Sequence, residues 1–372
     1  MREIASAEIF ALVQELSGKL KGKRLNNFYD LGSGSFRLDF EAGMSVFIML
    51  TKTINETKLR EEADAATPFA IAVRKRIKGS RLAELKQIGS ERIVVFEFLG
   101  SERHSLVVEM FAKGNVIVLD MHGNIELAYA TRHFRDRDIA PRLHYSFPSS
   151  DSLPFVAFSR EALGKAVSKA LSQEGVKLIA ALSKFVNIGP IYLEELLVSC
   201  GLDPNAEPSS AADKAGLLVG ALIKFGERMG KPMPIAYYLD SKPVNYAIMP
   251  IRKYASYKHA EFQSMSELLD SIYAIERARI SDEEAARKAE ELRKSIEEQQ
   301  RLAREYSEKA RLYRNIANKI YEHMSGLNEA IREAKAGARE GNAAPAHAAV
   351  SDSGISIVGI DKKAKTLHVV LE

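Results

Sequence analysis

The sequence predicts an α+β fold with an N-terminal antiparallel-sheet domain, a helical domain and a long helix, and three observations support this. Apolar residues with helical spacing and apolar residues with period-two spacing occur in separate blocks of the chain. The predicted strands are joined by short connections, whereas a parallel crossover needs about a dozen residues, so neighbouring strands are antiparallel. A stretch without Gly or Pro, from residue 276 to residue 325, repeats apolar positions every three or four residues.

The N-terminal domain begins with an amphipathic helix and continues mostly as strands. Residues 7–20 place Ile9, Val13 and Leu16 on one face of a helix, and a second helix is predicted at 68–78. Alternating apolar residues predict strands at 36–40, 46–50, 92–99, 105–111, 115–120 and 125–130. Together these strands form a predicted antiparallel meander.

The segment 159–230 is helical throughout, and two short amphipathic helices inside it are joined by Ile188, Gly189 and Pro190. Gly189 can end the first helix and Pro190 can begin the second. This hairpin has the form of a helix-hairpin-helix element, whose backbone N–H groups bind a nucleic-acid phosphate. An ordinary helical turn is the alternative, because Ile191 stands where the common pattern has its second glycine.

Two period-two segments, at 235–240 and 244–249, indicate that the helical block is inserted into, or appended to, the first domain. An unbroken apolar seam from Ala289 to Ile331 predicts a coiled-coil helix. Its partner helix belongs either to another molecule or to a part of the protein that this sequence lacks. The predicted division is 1–170 (first part of the N-terminal domain), 171–230 (helix-hairpin-helix domain), 231–274 (return segment), 275–340 (coiled-coil helix) and 341–372 (linker and β-hairpin).

Composition excludes several classes of protein. The 53 basic and 49 acidic residues give a net charge of +4, which excludes a histone-like polycation. Cys200 is the only cysteine, so the sequence excludes a disulfide framework and a cysteine-based zinc site. Because no apolar run approaches the roughly 18 residues of a membrane helix and no secretory signal is present, we expect a cytoplasmic protein. Enzyme motifs are missing apart from an isolated Gly32-Ser33-Gly34, so we expect no catalysis, cofactor or metal site.

Two basic clusters stand out in this nearly neutral chain. The first contains Arg74, Lys75, Arg76, Lys78 and Arg81, and the second contains Arg132, Arg135 and Arg137. Each cluster is either an ordinary solvated face or a surface that neutralises phosphates and releases counterions. We predict that both clusters bind RNA.

The order of motifs along the chain is specific. It comprises the helix start at 6–9, KGKRLNNFY at 21–29, PFAIAVRKR at 68–76, GSERIV at 89–94, FAKGNVIVLD at 111–120, the turn at 188–190 and the long helix. In this order the motifs resemble the NFACT family of ribosome-associated quality control, which includes bacterial proteins first described as fibronectin-binding. The resemblance implies that the chain is an N-terminal part of a longer protein, since family members continue with a second coiled-coil helix and an RNA-binding domain.

The resemblance also implies a function. Family members bind a large ribosomal subunit that carries peptidyl-tRNA and recruit charged tRNA, alanyl-tRNA above all, for mRNA-independent tailing of the nascent chain. The positions needed for recruitment match Glu8, Glu91 and Arg92, with glutamate at both positions where the family has aspartate. Further partners implied at the coiled coil are a ubiquitin ligase, another quality-control factor or a second copy of the chain. The N-terminal domain is similar to the fold of formamidopyrimidine glycosylases, although their N-terminal Pro-Glu pair is absent.

Two other function classes stay open at this point. One is a helix-hairpin-helix protein of the DNA-repair type, which prefers duplex DNA to large subunits that carry tRNA. The other is a coiled-coil scaffold, which has no need of Arg92. At the level of single residues, the alternative for Glu8 and Arg92 is an internal salt bridge that only holds the first helix to the sheet.

Overall fold

A computed structural model describes residues 2–60, 65–339, 348–350, 355–361 and 366–371. These residues combine helices with antiparallel sheets, which confirms the predicted α+β class. The chain divides into two compact units, Met1–Ile280 and Ser281–Glu372. Among the described residues, no helix has both the length and the apolar character needed to cross a membrane.

The first unit opens with a helix and a four-stranded antiparallel sheet. These elements are α1 (Ser6–Leu20), β1 (Leu25–Gly32), β2 (Ser35–Phe40), β3 (Ser45–Met49) and β4 (Thr53–Glu56), with the strands in chain order. Helix α1 begins where the Glu8 carboxylate accepts a hydrogen bond from the Ala5 N–H at 2.7 Å. Ile9, Val13 and Leu16 are buried in the core, as the predicted apolar stripe requires.

Helix α2 (Pro68–Ile77) leads into a second sheet. The Thr67 hydroxyl caps this helix by accepting a hydrogen bond from the Ala70 N–H at 3.1 Å. The second sheet is antiparallel, in chain order, and contains β5 (Arg81–Gln87), β6 (Ile93–Leu99), β7 (Arg103–Glu109), β8 (Asn115–Leu119) and β9 (Ile125–Ala128). The predicted meander is therefore confirmed.

Both faces of this five-stranded sheet are covered. Val94 and Phe96 of β6 belong to the main hydrophobic core, whereas Ile93 and Val95 belong to a second apolar cluster on the opposite face. Tyr145 and the segment before it close the second cluster. That segment contains the short strands β10 (Arg132–His133) and β11 (Asp138–Ile139). The second basic cluster therefore lies in a segment that shields apolar surface.

Four helices and a return sheet follow in the first unit, before the start of the long helix. The helices are α3 (Arg160–Leu171), α4 (Leu178–Phe185), α5 (Pro190–Ser199) and α6 (Ala215–Met229). The return sheet contains β12 (Ile235–Leu239), β13 (Lys242–Ala247) and β14 (Lys258–Glu261) in the order β13-β12-β14. A single cluster of buried apolar side chains extends from Ile4 to Ile272, so the helical block shares one core with the N-terminal sheets.

The long helix α7 (Met265–Glu322) begins in that core, where Met265 and Ile272 are buried. The described side chains from 281 to 316 are exposed, and no described element covers this part of the helix. The helix is not continuous to Ile331 as the seam predicted, because it is interrupted at His323 and resumes as α8 (Met324–Arg339). A coiled coil therefore stays a prediction.

A small antiparallel sheet follows α8. It contains β15 (Ala348–Val350), β16 (Ile355–Asp361) and β17 (Thr366–Leu371). The predicted C-terminal hairpin is confirmed as β16 and β17, with β15 as an additional strand, and its turn residues Lys362 and Lys363 lie outside the described residues. Ala330 of α8 packs against Ile357 of β16.

Candidate nucleic-acid interface

Predicted functional residues from distant parts of the sequence meet at one cleft. The cleft has a volume of about 420 Å³, and its lining includes Arg2, Ser6, Arg92, Asn187 and Gly189. It lies where the start of α1, the β5–β6 turn and the α4–α5 turn converge. The structure therefore places Arg92 beside the turn that the sequence marks as a helix-hairpin-helix candidate.

Hydrogen bonds hold the β5–β6 turn against both of its neighbours. The Ser90 carbonyl accepts hydrogen bonds from the Asn187 side-chain amide at 3.0 Å and from the Ser6 hydroxyl. The Gln87 side-chain amide donates to the Glu91 carbonyl at 2.8 Å and to the Ser6 carbonyl at 3.1 Å. The backbone of this turn is therefore positioned by α1 and by the α4–α5 turn.

Gly189 allows the α4–α5 turn to approach α1 closely. Its φ is +105°, a conformation that residues with a side chain rarely adopt. A Cβ atom at this position would lie 2.6 Å from the Cβ of Ala5. Ile188 is fully buried, and Pro190 is exposed at the start of α5. The sequence Ile188-Gly189-Pro190 thus marks two features, the start of α5 and a close contact with α1.

Glu8 lies behind the cleft and is fully buried. Its carboxylate accepts hydrogen bonds from the Arg2 guanidinium, and from the Ala5 N–H and the Tyr192 hydroxyl at 2.7 Å each. The Tyr192 hydroxyl in turn accepts from the Ile248 N–H at 3.0 Å. Burial and the Glu8 carboxylate raise the pKa of Tyr192, so its hydroxyl stays a neutral donor. Glu8 therefore links α1, α5 and the end of β13, and it does not reach the surface.

Arg2 connects Glu8 to the cleft. Its guanidinium donates to the Asn245 side chain and to the Tyr246 carbonyl, both at 2.7 Å, and lies 4.0 Å from the centre of the Tyr246 ring. Burial by itself lowers the pKa of Arg2, but the adjacent Glu8 carboxylate, together with Tyr246 and Tyr192, raises the pKa overall. Sequence reasoning missed Arg2, because no spacing pattern links position 2 to positions 192 and 246.

Arg92 lines the cleft, and both Arg92 and the preceding Glu91 are partly exposed. The Glu91 carboxylate accepts a hydrogen bond from the Ser150 hydroxyl at 2.5 Å. Arg92 donates to the carboxylate of Glu3, whose side chain is 51% exposed, at 2.7 Å. A solvated pair of this kind contributes about 0–1 kcal/mol to stability. Arg92 therefore pairs with Glu3 and not with Glu8, and an RNA phosphate can replace the Glu3 carboxylate at little cost.

The first basic cluster is divided between two roles. We call Arg74, Lys75, Arg76 and Lys78 the α2 cluster. Arg74 donates to a backbone carbonyl of β1 at 2.7 Å, and Arg76 pairs with the Glu126 carboxylate at 2.6 Å. Lys75 and Lys78 are exposed, and neither has an ion-pair partner within the described part of the chain. These two lysines are the cations of the cluster that are available to a phosphate.

The second basic cluster, Arg132, Arg135 and Arg137, is called the loop cluster below. Arg137 lies 2.8 Å from the Glu109 carboxylate, and the two side chains are only 6% and 2% exposed. The Tyr145 hydroxyl donates to the same carboxylate at 2.9 Å. Arg132 is half-buried and Arg135 is exposed, and where the structure describes their surroundings neither forms an ion pair. The Arg137 side chain is thus buried in an ion pair with Glu109.

The match to one protein family assigns the chain to a class. The family model for the NFACT N-terminal and middle domains matches residues 6–335. Because the match covers most of the chain, the chain belongs to the NFACT family, and the predicted family is confirmed. The predicted likeness to formamidopyrimidine glycosylases stays a prediction.

Particular relatives are similar to the chain. The archaeal Rqc2 homolog aRqcH of Methanocaldococcus jannaschii is 24% identical over 360 residues, which cover 90% of this chain and 52% of that protein. The ribosome quality control complex subunit 2 of Schizosaccharomyces pombe is 36% identical over 134 residues, which cover 33% of this chain and 13% of that protein. This chain thus spans about half or less of the length of these curated relatives.

One solved structure is similar to this chain in its fold. The N-terminal part of the fibronectin/fibrinogen-binding protein of Streptococcus suis aligns with a TM-score of 0.56 at 19% identity. The alignment covers 72% of this chain and 98% of that structure. The two proteins therefore share an architecture.

Proposed function

We propose that this chain is the N-terminal and middle part of a cytoplasmic ribosome quality control factor. It binds a large ribosomal subunit that still carries peptidyl-tRNA and recruits charged tRNA, alanyl-tRNA above all, so that the nascent chain is extended without mRNA. Membership in the NFACT family and similarity to a subunit of the fission yeast ribosome quality control complex support this proposal. The ribosome supplies the peptide-bond chemistry, and this chain supplies binding and orientation.

One observation carries the proposal: Arg92 and the α4–α5 turn line the same cleft. The turn before Arg92 is hydrogen-bonded to α1 and to Asn187, so the guanidinium projects from a positioned backbone. Its partner is the solvated Glu3 carboxylate, which a ligand can displace. A guanidinium in this setting binds a phosphate or a base edge of tRNA or ribosomal RNA.

The three recruitment positions have different roles in this proposal. Arg92 contacts the RNA. Glu91 orients the turn through its hydrogen bond with Ser150. Glu8 is a positioning residue, because its buried carboxylate holds Arg2 and Tyr192, and with them two walls of the cleft.

Other surfaces extend the contact. Lys75 and Lys78 of α2, together with Arg132 and Arg135, bind phosphates of ribosomal RNA or tRNA. The turn at 188–190 takes the helix-hairpin-helix role. The exposed face of α7 binds a ubiquitin ligase, another quality-control factor or a second copy of the chain, since its side chains from 281 to 316 have no cover among the described residues.

The test compares two arginines of one sheet in the full-length protein. Arg92 precedes β6, and Arg103 pairs with Leu99 at the other end of that strand, where it binds the Glu97 carboxylate. We expect Arg92→Ala to abolish tRNA recruitment to stalled large subunits, measured by cryo-EM occupancy and by tailing, with melting temperature and subunit binding nearly unchanged. Arg103→Ala is the matched control and should leave recruitment intact.

Two outcomes contradict this assignment. If Arg92→Ala lowers stability by several kcal/mol and subunit binding falls in parallel, Arg92 is structural. If the Arg92 and Arg103 variants recruit tRNA equally well, the cleft has no specific role in tRNA recruitment. Tighter binding to duplex DNA than to large subunits, measured at one salt concentration, would favour the DNA-repair class instead.

A further inference from the structure

Tyr29, in the motif at 21–29, has two guanidiniums close to its ring. Tyr29 and Arg37 are direct cross-strand partners on β1 and β2, so their side chains lie on the same face of the sheet. The Arg37 guanidinium lies 4.3 Å from the centre of the Tyr29 ring, and the Arg74 guanidinium of α2 lies 5.1 Å from it. Both distances are within cation–π range. The Tyr29 ring is therefore held in one orientation next to two planar, positively charged groups.

A cavity of about 450 Å³ lies beside this ring, and Asn26, Asn27, Tyr29, Asp39 and Arg60 contribute to its lining. Its size falls within the range of small-ligand sites, roughly 300–1,000 Å³. The proposed cleft at Arg92 has no lining residue in common with it. The cavity is thus a separate feature of the molecule.

The described lining of the cavity contains one cation and one anion, Arg60 and Asp39, and the Arg37 and Arg74 guanidiniums lie near the Tyr29 ring. The Asp39 carboxylate accepts hydrogen bonds from Arg37 at 3.0 Å, from Arg60 at 3.2 Å and from the Ser45 hydroxyl at 2.6 Å. Arg37 and Arg60 thus both donate to the Asp39 carboxylate, and the Arg74 guanidinium lies beside the Tyr29 ring. The acidic residues that follow Arg60 in the sequence lie outside the described residues.

Two polar groups at the cavity have no partner in the described part of the protein. They are the Tyr29 hydroxyl and the side-chain N–H₂ of Asn27, whose oxygen accepts a hydrogen bond from the Phe28 N–H at 3.0 Å. A hydroxyl and an amide can bond the edge of a base, while an aromatic ring and guanidiniums stack on its face. This is the combination with which proteins recognise unpaired nucleobases.

We propose that this cavity binds one unpaired nucleobase of RNA, with the neighbouring phosphates on Lys75 and Lys78. Arg74 connects the two parts, because it reaches the Tyr29 ring from α2, which carries Lys75 and ends just before Lys78. The inference rests on the proposed function in one respect, namely that the chain binds RNA. It adds the kind of RNA that is preferred: a bulge or loop with an extruded base in place of a continuous duplex.

The experiment uses the whole chain and two RNA hairpins that differ only by one bulged 2-aminopurine. Fluorescence anisotropy gives the affinities, and 2-aminopurine fluorescence reports stacking of the bulged base. We expect the bulged hairpin to bind at least about fivefold more tightly than the paired hairpin, with a change in 2-aminopurine emission. Tyr29→Leu should abolish this preference while binding to the paired hairpin persists, and Tyr29→Phe should keep the stacking signal.

Tyr306→Leu, on the exposed part of α7, is the matched control and should leave the preference unchanged. Equal binding of both hairpins by the unmodified chain, or a preference that survives Tyr29→Leu, would overturn the inference while the proposed function stands. No binding to either hairpin would count against RNA binding itself. If an acidic peptide such as oligoglutamate binds in a Tyr29-dependent manner and RNA does not, the cavity belongs to a protein partner and the inference is wrong.

Discussion

The α2 cluster and the loop cluster are similar runs of positive charge in the sequence, but the structure uses them differently. In the α2 cluster, the helix buries Ala70, Val73 and Ile77 on one face, and Lys75 and Lys78 are exposed to solvent. In the loop cluster, the most C-terminal cation turns inward and pairs with a buried carboxylate. The number of charges is therefore a poor guide to which of them can bind RNA.

The surface beneath each cluster explains the difference. A helix with one buried face keeps its other face in water whatever that face contains. The segment that carries the loop cluster must cover the second apolar cluster of the five-stranded sheet, and this brings Arg137 next to Glu109 and to the rings of Phe134 and Tyr145. One cation of this covering segment, Arg137, is thus drawn into the interior, whereas Arg135 stays exposed.

The strongest test of this comparison is Arg137→Ala. Removing the guanidinium leaves the Glu109 carboxylate buried without its ion-pair partner, so we expect a loss of about 3 kcal/mol in the free energy of unfolding. At roughly 2–4 °C per kcal/mol for a unit of this size, the melting temperature should fall by about 6 °C or more. Differential scanning calorimetry measures the change.

Two further variants sharpen that result. Arg135→Ala, in the same cluster but exposed, should change stability by no more than about 0.5 kcal/mol. The double change Arg137→Met with Glu109→Gln should recover most of the loss, because replacing both members of a buried pair is often nearly neutral. An unchanged melting temperature for Arg137→Ala would show that the pair is dispensable and that the two clusters are alike.

An intermediate effect is expected from Lys75→Ala combined with Lys78→Ala. Each lost phosphate contact flattens the dependence of log affinity on log salt by about 0.7–0.9, so the slope should flatten by roughly 1.4–1.8. Stability should stay within about 0.5 kcal/mol of the unmodified chain. Titrations of tRNA or large subunits at several salt concentrations measure the slope. Lys165→Ala with Lys169→Ala, on the exposed face of α3, should leave the slope unchanged.

The smallest effect is expected on the 281–316 part of α7, where the described side chains are all exposed. Leu292 and Ile296 are 64% and 52% exposed, so Leu292→Ala and Ile296→Ala should each change stability by less than about 0.5 kcal/mol. Ile77→Ala, on the buried face of α2, should cost about 2–5 kcal/mol. Strong hydrogen-exchange protection across 289–316 in a proven monomer would contradict this description of α7.

Seven of the described strands escaped prediction, namely β1, β4, β5, β10, β11, β14 and β15, and for three of them the reason is identifiable. A register shift between Leu25 and Asn27 interrupts the period-two pattern of β1, and another between Leu82 and Glu84 does the same in β5. Because of the shift in β5, the two residues that it buries, Leu82 and Leu85, are three positions apart in the sequence. This spacing imitates that of a helix. Strand β14 pairs only with β12 at the edge of its sheet and has no buried residue to mark it.

The sequence by itself determined the elements whose signal is local. The apolar stripe of α1, the period-two strands of the meander, the Gly189-Pro190 turn and the exposed lysines of α2 follow from spacing and from backbone preferences, which act over a few residues. The NFACT resemblance likewise rests on the linear order of motifs, and the family match confirmed it.

Only the tertiary structure decided which charges are buried. Glu8 bonds to Arg2 and to Tyr192, and Arg137 bonds to Glu109, across separations that no local pattern records. The physical reason is that a charge is buried only where a partner from another element satisfies it, since burial without a partner is too costly. The same packing gave Arg92 a weak partner in Glu3 and a place beside the α4–α5 turn, and so formed the candidate site from residues that the sequence keeps apart.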